Sequence, residues 1–285
     1  MSQFVISNSE VTDYLKCKRK FYYAHILKIK PKSYSKSLTR GIIGHEALAA
    51  YYERLRETHN YEVSKTAAMQ VLSGYLMSDP EMIQGLMSLI SEYSDAHQDL
   101  DEFEILEVEK SYRMPLGDDL DYAMRLDLLV KYHHGPYAGE TVLIDHKFVY
   151  NFWTEDDLTL NAQIPKYLGT LRVNGYNVNK GIINQLRWRE VKSNPERFRK
   201  NIIKPSQKEV YNVLQEQATA SQEIILLKSY DNPEDHVLRT MEKFTCQHCQ
   251  FLMLCKVDLT GEDSTVMRRA DFMPNDYGYV EDDDS

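Results

Sequence analysis

The sequence predicts an α/β chain of the α+β kind, with a mixed sheet flanked by helices. Three observations carry this reading. Residues 104–114 (EILEVEKSYRM) alternate apolar and polar side chains, as a half-buried strand does. Residues 121–132 (DYAMRLDLLVKY) and 141–149 (TVLIDHKFV) follow as two more strand-like runs set apart by turn residues. Helical patterns stand on both sides of these strands, and that order points to a mixed core.

Taken in order, the first helix is expected over 9–28, with Ser9 as N-cap and Val11, Tyr14 and Leu15 at helical spacing. Residues 41–58 (GIIGHEALAAYYERLRET) read as an amphipathic helix. Residues 62–98 are helical with a break near Asp79-Pro80, and the stretch 60–100 is expected to be a helical insertion. Pro115, Gly117, Asp118 and Asp119 turn the chain between the first two strands, and His133–Gly139 turn it between the second and third. A helix over 155–174 with Pro165 inside it, a fourth strand over 178–188 and a long helix over 206–228 complete the pattern. One domain is expected over 1–258, with the catalytic sheet and helix at 104–190. Residues 259–285 are expected to form an acidic, flexible tail.

Composition narrows the function classes. The chain has 285 residues, of which 42% are hydrophobic, enough for a sizeable core. A net charge of −9 argues against a generic basic coat for nucleic acid. The charge is unevenly spread, however. Residues 1–40 hold nine Lys and Arg against Glu10 and Asp13, and residues 185–205 hold seven against Glu190 and Glu196. Such runs are solvated faces in most proteins, but two of them in an acidic chain suit a local phosphate-binding groove. No apolar run reaches the ~18–20 residues that span a bilayer, so no membrane partner is expected. The N-terminus lacks the basic start and apolar stretch of a secretory signal. A cytoplasmic, DNA-associated location is expected, where four cysteines do not serve as structural disulfides.

The second and third strands carry the chemistry. Asp127 interrupts the apolar run MRLDLLV, and Asp145-His146-Lys147 follows VLI. Residues two apart on a strand share a face, so Asp145 and Lys147 lie side by side. An ordinary ion pair would satisfy them. Phosphodiester hydrolysis would use both: carboxylates hold a hard divalent cation such as Mg²⁺ or Mn²⁺, and the lysine orients or deprotonates a water.

Asp127 followed by Asp145-x-Lys147 resembles the PD-(D/E)XK nuclease superfamily, and two further elements resemble its RecB-like branch. Gly41-Ile-Ile-Gly44-His45 looks like the G-x-x-x-H element, which makes His45 an additional metal ligand. Gln163-Ile-Pro-Lys-Tyr167 looks like the Q-x-x-x-Y element, with both side chains on one helix face. Pro165 departs from an ideal helix there, so the helix is expected to begin or kink at that point. The resemblance implies a restriction-endonuclease-like core, with catalytic Asp127, Asp145, Lys147, Gln163 and Tyr167. It implies metal ligands His45, Asp127, Asp145 and the backbone carbonyl of His146. Glu109, on the preceding strand, could add a carboxylate.

The cysteines are Cys17, Cys246, Cys249 and Cys255, and the last three read C-x₂-C-x₅-C. Four with none left over fit a Cys₄ metal centre, which could hold zinc or an iron–sulfur cluster. One early cysteine and a late C-x₂-C-x₅-C around a nuclease core resemble the iron–sulfur subclass of RecB-like nucleases. That subclass includes the CRISPR-associated adaptation nuclease and AddAB-type nuclease subunits. The resemblance implies a structural 4Fe–4S cluster bound through 240–258 and Cys17. Binding Cys17 would hold Phe21, Tyr22 and Tyr23 near the groove, where they could stack on bases or belong to the core. The function implied is a metal-dependent DNA exonuclease acting on single-stranded or resected ends in recombination, repair or replication. A structure-specific endonuclease and a DNA-end-binding subunit with little cleavage are the alternatives. No G-x-x-x-x-G-K-[ST] motif is present, so any unwinding would come from a helicase or recombination partner.

Overall fold

The computed structural model describes residues 4–97 and 102–275. Strand β1 (Phe4–Ser7) leads into helices α1 (Asn8–Lys16) and α2 (Lys18–Phe21), a π-helical turn over Tyr22–Ile26 and strand β2 (Ile29–Pro31). Helices α3 (Lys36–Thr58), α4 (Tyr61–Gly74) and α5 (Pro80–Ala96) follow. Next come strands β3 (Phe103–Val108), β4 (Ser111–Pro115), β5 (Leu120–Arg125), β6 (Leu128–Tyr132) and β7 (Thr141–Val149). Helices α6 (Glu155–Thr159) and α7 (Gln163–Val173) precede strands β8 (Val178–Arg187) and β9 (Phe198–Ile203). The chain continues through α8 (Gln207–Lys228), α9 (Lys243–Gln247), α10 (Leu252–Thr260), α11 (Thr265–Asp271) and β10 (Phe272–Pro274).

These elements gather into two compact units. The larger takes 36–112 and 125–214, and the smaller takes the described residues up to 35, 113–124 and those from 215 onward. Neither is continuous in sequence, so no linker marks their boundary along the chain.

The larger unit is built on a five-stranded sheet in the order β3-β6-β7-β8-β9. Strands β7 and β8 are parallel, and every other neighbour is antiparallel. Strand β7 is central, and residues 142–146 are buried. Burial on both faces explains why VLI reads as a continuous apolar run instead of an alternation. Helices α3 and α5 cover the sheet through Ile43, Leu48, Leu86 and Ile90, packed with Val130 and Ile144. Each such side chain contributes roughly 1.5–3 kcal/mol when fully buried. Helix α5 starts where the sequence breaks: Asp79 caps it by accepting from Met82 N, and Pro80 takes the first position. Helix α7 packs on β7 and β8.

The smaller unit holds a three-stranded sheet, β1-β5-β4, and the pair β2 with β10. Strand β1 runs parallel to β5, Phe4 opposite Leu120 and Ser7 opposite Ala123. The first helix is capped by Ser7 and not by Ser9. Ser7 and Glu10 form a reciprocal capping box, and the residues before them are already in a strand.

Several expected elements divide in the structure. The helix over 9–28 breaks at Cys17, whose backbone is extended. The strand over 104–114 becomes β3 and β4, with Glu109 between them in the left-handed region at φ 45°. The strand over 121–132 becomes β5 and β6, with Asp127 in the gap. The helix over 155–174 becomes α6 and α7, and α7 begins at Gln163, so Pro165 sits in its first turn, where no intrahelical donor is lost. The tail expected from 259 instead carries α11 and β10, with Phe272 opposite Pro31. Residues 276–285, the most acidic part of that expected tail, lie outside the described residues. Among the described residues no helix is long and apolar enough to cross a membrane.

Glycine fixes how closely α7 approaches the sheet. A Cβ on Gly181 of β8 would stand 2.8 Å from Ile164 Cγ2. Gly181→Ala should therefore lower unfolding stability by about 1–3 kcal/mol, measured as a fall in the denaturant midpoint. An unchanged midpoint would show that the contact is loose.

Candidate active site

The paired breaks between β3 and β4 and between β5 and β6 build the site. They are tied by two backbone bonds: Glu109 N donates to Asp127 O at 2.9 Å, and Leu126 N donates to Lys110 O at 3.0 Å. The left-handed backbone at Glu109 is unusual for a residue with a side chain, and such conformations gather at functional sites. Arg125 fastens the same turn, with Nε 2.8 Å from Glu109 O and 3.0 Å from Glu109 Oε2.

Helix α3 supplies the third member. His45 Nδ1 lies 3.4 Å from Asp127 Oδ2 and 4.0 Å from Glu109 Oε1. Ligand atoms of His45, Glu109 and Asp127 all fall within 4.8 Å of one another, close enough to hold one metal ion. His45 is positioned by Gly44. A Cβ at Gly44 would meet the Phe148 ring at 2.4 Å, so any larger residue there must push the ring aside. Phe148 in turn stands edge-on to His45, ring centroids 5.8 Å apart. Within Gly41-Ile-Ile-Gly44-His45 the sterically constrained glycine is thus Gly44, since a Cβ at Gly41 meets nothing within 4 Å.

Strand β7 brings Asp145 and Lys147 to one face. Lys147 Nζ is 2.7 Å from Asp145 Oδ2, while Asp145 Oδ1 has no hydrogen-bond partner although the residue is 1% exposed. His146 points to the other face. Its ring stacks on Tyr52 and meets the Asn184 side chain at 3.0 Å, and Asn184 donates to Tyr93. Its backbone serves the site: His146 N donates to Asp127 Oδ2 at 2.7 Å. Gln163 donates to the Tyr167 hydroxyl at 2.7 Å on the first turns of α7.

The electrostatics favour a cation. Burial and then the Asp127 charge push Glu109 up to about 7. Burial raises Asp127, against the opposing pull of Lys147. Burial likewise pushes Asp145 up to about 6, although Lys147 opposes it. Arg125 on Glu109 and Lys147 on Asp145 only partly offset the burial of these crowded carboxylates. His45 is drawn down to about 4 by burial and then by Lys147, so its ring is neutral and free to ligate. At ordinary pH its approach to Asp127 is therefore no ion pair. A hard divalent ion fits the donor set of His45, Glu109 and Asp127.

A family model described as the PD-(D/E)XK nuclease superfamily matches residues 5–256. The chain belongs to this superfamily. Nucleases of the PD-(D/E)XK superfamily use divalent metals and act on nucleic acid, in keeping with the His45–Glu109–Asp127 group. No curated protein gives a significant match. Among solved structures, one named SSO0001 is 15% identical, covering 90% of this chain and 87% of that one at a TM-score of 0.43. Another, from Eubacterium rectale and provisionally described as an exonuclease, is 12% identical, covering 86% and 87% at a TM-score of 0.49.

The cysteines form a second site, within the smaller unit. Cys17, Cys246, Cys249 and Cys255 line one cavity of about 80 Å³. All four are free thiols. Burial disfavours the Cys17 thiolate, but backbone donors at Thr240, Lys20 and Arg19 outweigh it and lower the thiol. Burial, with neighbouring Cys17 and Cys255, raises Cys249. His248 Nδ1 pairs with Phe244 O. The basic, aromatic segment after Cys17 is internal. Phe21, Tyr22 and Tyr23 are buried core. Arg19 pairs with Glu234 and Asp258, and Lys20 pairs with Asp13. Core packing, and not base stacking, accounts for these rings.

Gly44→Ala should displace Phe148 and His45 together and weaken Mn²⁺ binding about 10-fold or more, read by calorimetry. Unchanged affinity would separate His45 from the metal site.

Proposed function

We propose that this nuclease is a Mg²⁺- or Mn²⁺-dependent deoxyribonuclease that removes nucleotides from single-stranded or resected DNA ends. The observation that carries the reading is the convergence of His45, Glu109 and Asp127 beside a buried Asp145–Lys147 pair with an unsatisfied carboxylate oxygen. Those four ligand side chains, with the His146 backbone carbonyl, would hold the cation. When bound, the cation supplies a Lewis acid for the phosphoryl oxygen and acidifies a ligated water.

The chain's own groups do the remaining work. His146 N fixes the Asp127 carboxylate by donating to Oδ2. Asp145 Oδ2 aims the Lys147 side chain, and Lys147 orients the attacking water and balances charge on the phosphate. Gln163 and Tyr167, bonded to each other, act as one polar unit toward Lys147 and the DNA backbone. The chain works on ends that a helicase or recombination partner opens.

We also propose that the four cysteines hold a 4Fe–4S cluster. Two features support it. The backbone donors around Cys17 stabilise a thiolate. All four thiols also line one cavity, an all-sulfur donor set of the kind an iron–sulfur cluster takes.

Digestion of 5′-labelled, 3′-labelled and circular single-stranded DNA with Mg²⁺ or Mn²⁺ tests the enzyme reading. Linear strands should be shortened from an end and circles spared; cleaved circles would indicate an endonuclease, and no cleavage at all would end the reading. Lys147→Ala should lose cleavage and keep DNA binding. Anaerobic purification should give brown protein containing iron and labile sulfide, whereas colourless protein with stoichiometric zinc would refute the cluster.

A further inference from the structure

The basic run 185–205 divides into cations that are spoken for and cations that are not. Arg197 pairs with Glu92 and Glu190, Arg199 with Glu196, and Arg187 donates to the backbone oxygens of Asn194 and Glu196. Arg189 and Lys192 make no ion pair or hydrogen bond among the described residues, and neither does Arg40 of α3. Two of these free cations stack on aromatic rings instead. The Arg40 guanidinium carbon is 3.7 Å from the Trp188 ring centroid, and that of Arg189 is 4.6 Å from Tyr150. Trp188 and Tyr150 meet edge to face at 5.0 Å, and Tyr150 is 47% exposed.

This cluster stands beside the candidate active site. Tyr150 directly follows β7, three residues after Lys147, or roughly 10 Å along an extended chain. Trp188 directly follows β8, and its backbone amide donates to Val149 O at 3.2 Å. Arg40 lies one helical turn before Gly44, which abuts Phe148. An ordinary structural cation–π pair needs no exposed ring and no second unpaired arginine. Alternating rings and free guanidinium groups at one surface match the two faces of an unpaired nucleotide: a π surface for the base and cations for the phosphate.

We propose that Arg40, Trp188, Tyr150 and Arg189 form a stacking platform for an unpaired DNA strand, holding bases a few nucleotides from the scissile bond. Its location relative to that bond rests on the nuclease reading; its binding chemistry does not. A duplex keeps its bases stacked and offers the rings nothing, so the platform selects single strands.

The test is binding of a fluorescein-labelled oligothymidine and of a matched duplex, in EDTA and without added divalent metal. Trp188→Ala should weaken single-strand binding about 10-fold and leave the duplex little changed, and Trp188→Phe should restore most of the loss. A strand carrying 2-aminopurine should be quenched by the native protein and less so by Trp188→Ala. Tyr150→Ala, altering an exposed side chain, gives the same readout should Trp188→Ala fail to fold. Unchanged single-strand affinity in the folded variants, or an equal loss for duplex, would overturn the proposal. Hydrolysis of bis(p-nitrophenyl) phosphate with Mn²⁺, a diester without bases, separates the two readings. Native levels in Trp188→Ala are expected, and a parallel loss there would mark Trp188 as structural. A native protein inert toward this diester and toward DNA would sink the nuclease reading while the EDTA binding still decides the platform.

Discussion

Three carboxylates crowd one corner of the larger unit, with Lys147 on Asp145 and Arg125 on Glu109, and that excess of acidic groups governs how the corner is built. Glu109, Asp127 and Asp145 all have their ionised forms disfavoured by burial, while Lys147 partners Asp145 and Arg125 partners Glu109. A fold that existed only to be stable would place a single ion pair there, or none, because buried charge is costly to compensate. The arrangement is suited to a hard cation held by His45, Glu109 and Asp127.

The surrounding structure can be understood as support for that corner. The double break in the strands, bonded between Glu109 and Asp127, turns two carboxylates inward from positions that a regular ladder would have used for pairing. Glycine at position 44 lets α3 approach until His45 joins them. The His146 ring is anchored on the opposite face by Tyr52 and Asn184, which fixes the strand segment whose backbone holds Asp127. Parallel pairing of β7 with β8 carries both strand ends to the same side, where Tyr150 and Trp188 emerge together.

Much of this was legible in the sequence, and the parts that were not share a cause. Asp127, Asp145 and Lys147 stood out because polar residues interrupted apolar runs. The central strand β7 was legible for the same reason. Glu109 was harder to weigh, because the broad apolar–polar alternation of 104–114 runs across a point where the chain leaves one sheet for another, and the left-handed backbone at Glu109 marks the break. Strands β1, β2 and β10 were not legible: two of them are three-residue pairings made with distant segments, and β1 depends on β5. Strand β9 was hidden inside a run of positive charge, because Phe198-Arg199-Lys200-Asn201-Ile202-Ile203 shows no apolar–polar alternation. Charge counts also overstated the N-terminal segment, since Lys18, Arg19 and Lys20 spend their charge on Glu223, Glu234, Asp258 and Asp13.

The central claim is that one divalent cation sits among His45, Glu109, Asp127 and Asp145. Anomalous diffraction from crystals soaked in Mn²⁺ tests it most directly. The account requires a manganese peak bounded by those four side chains, lost in Asp127→Asn and retained in Lys147→Ala. A peak elsewhere in the chain, or none in crystals saturated with manganese, would contradict it.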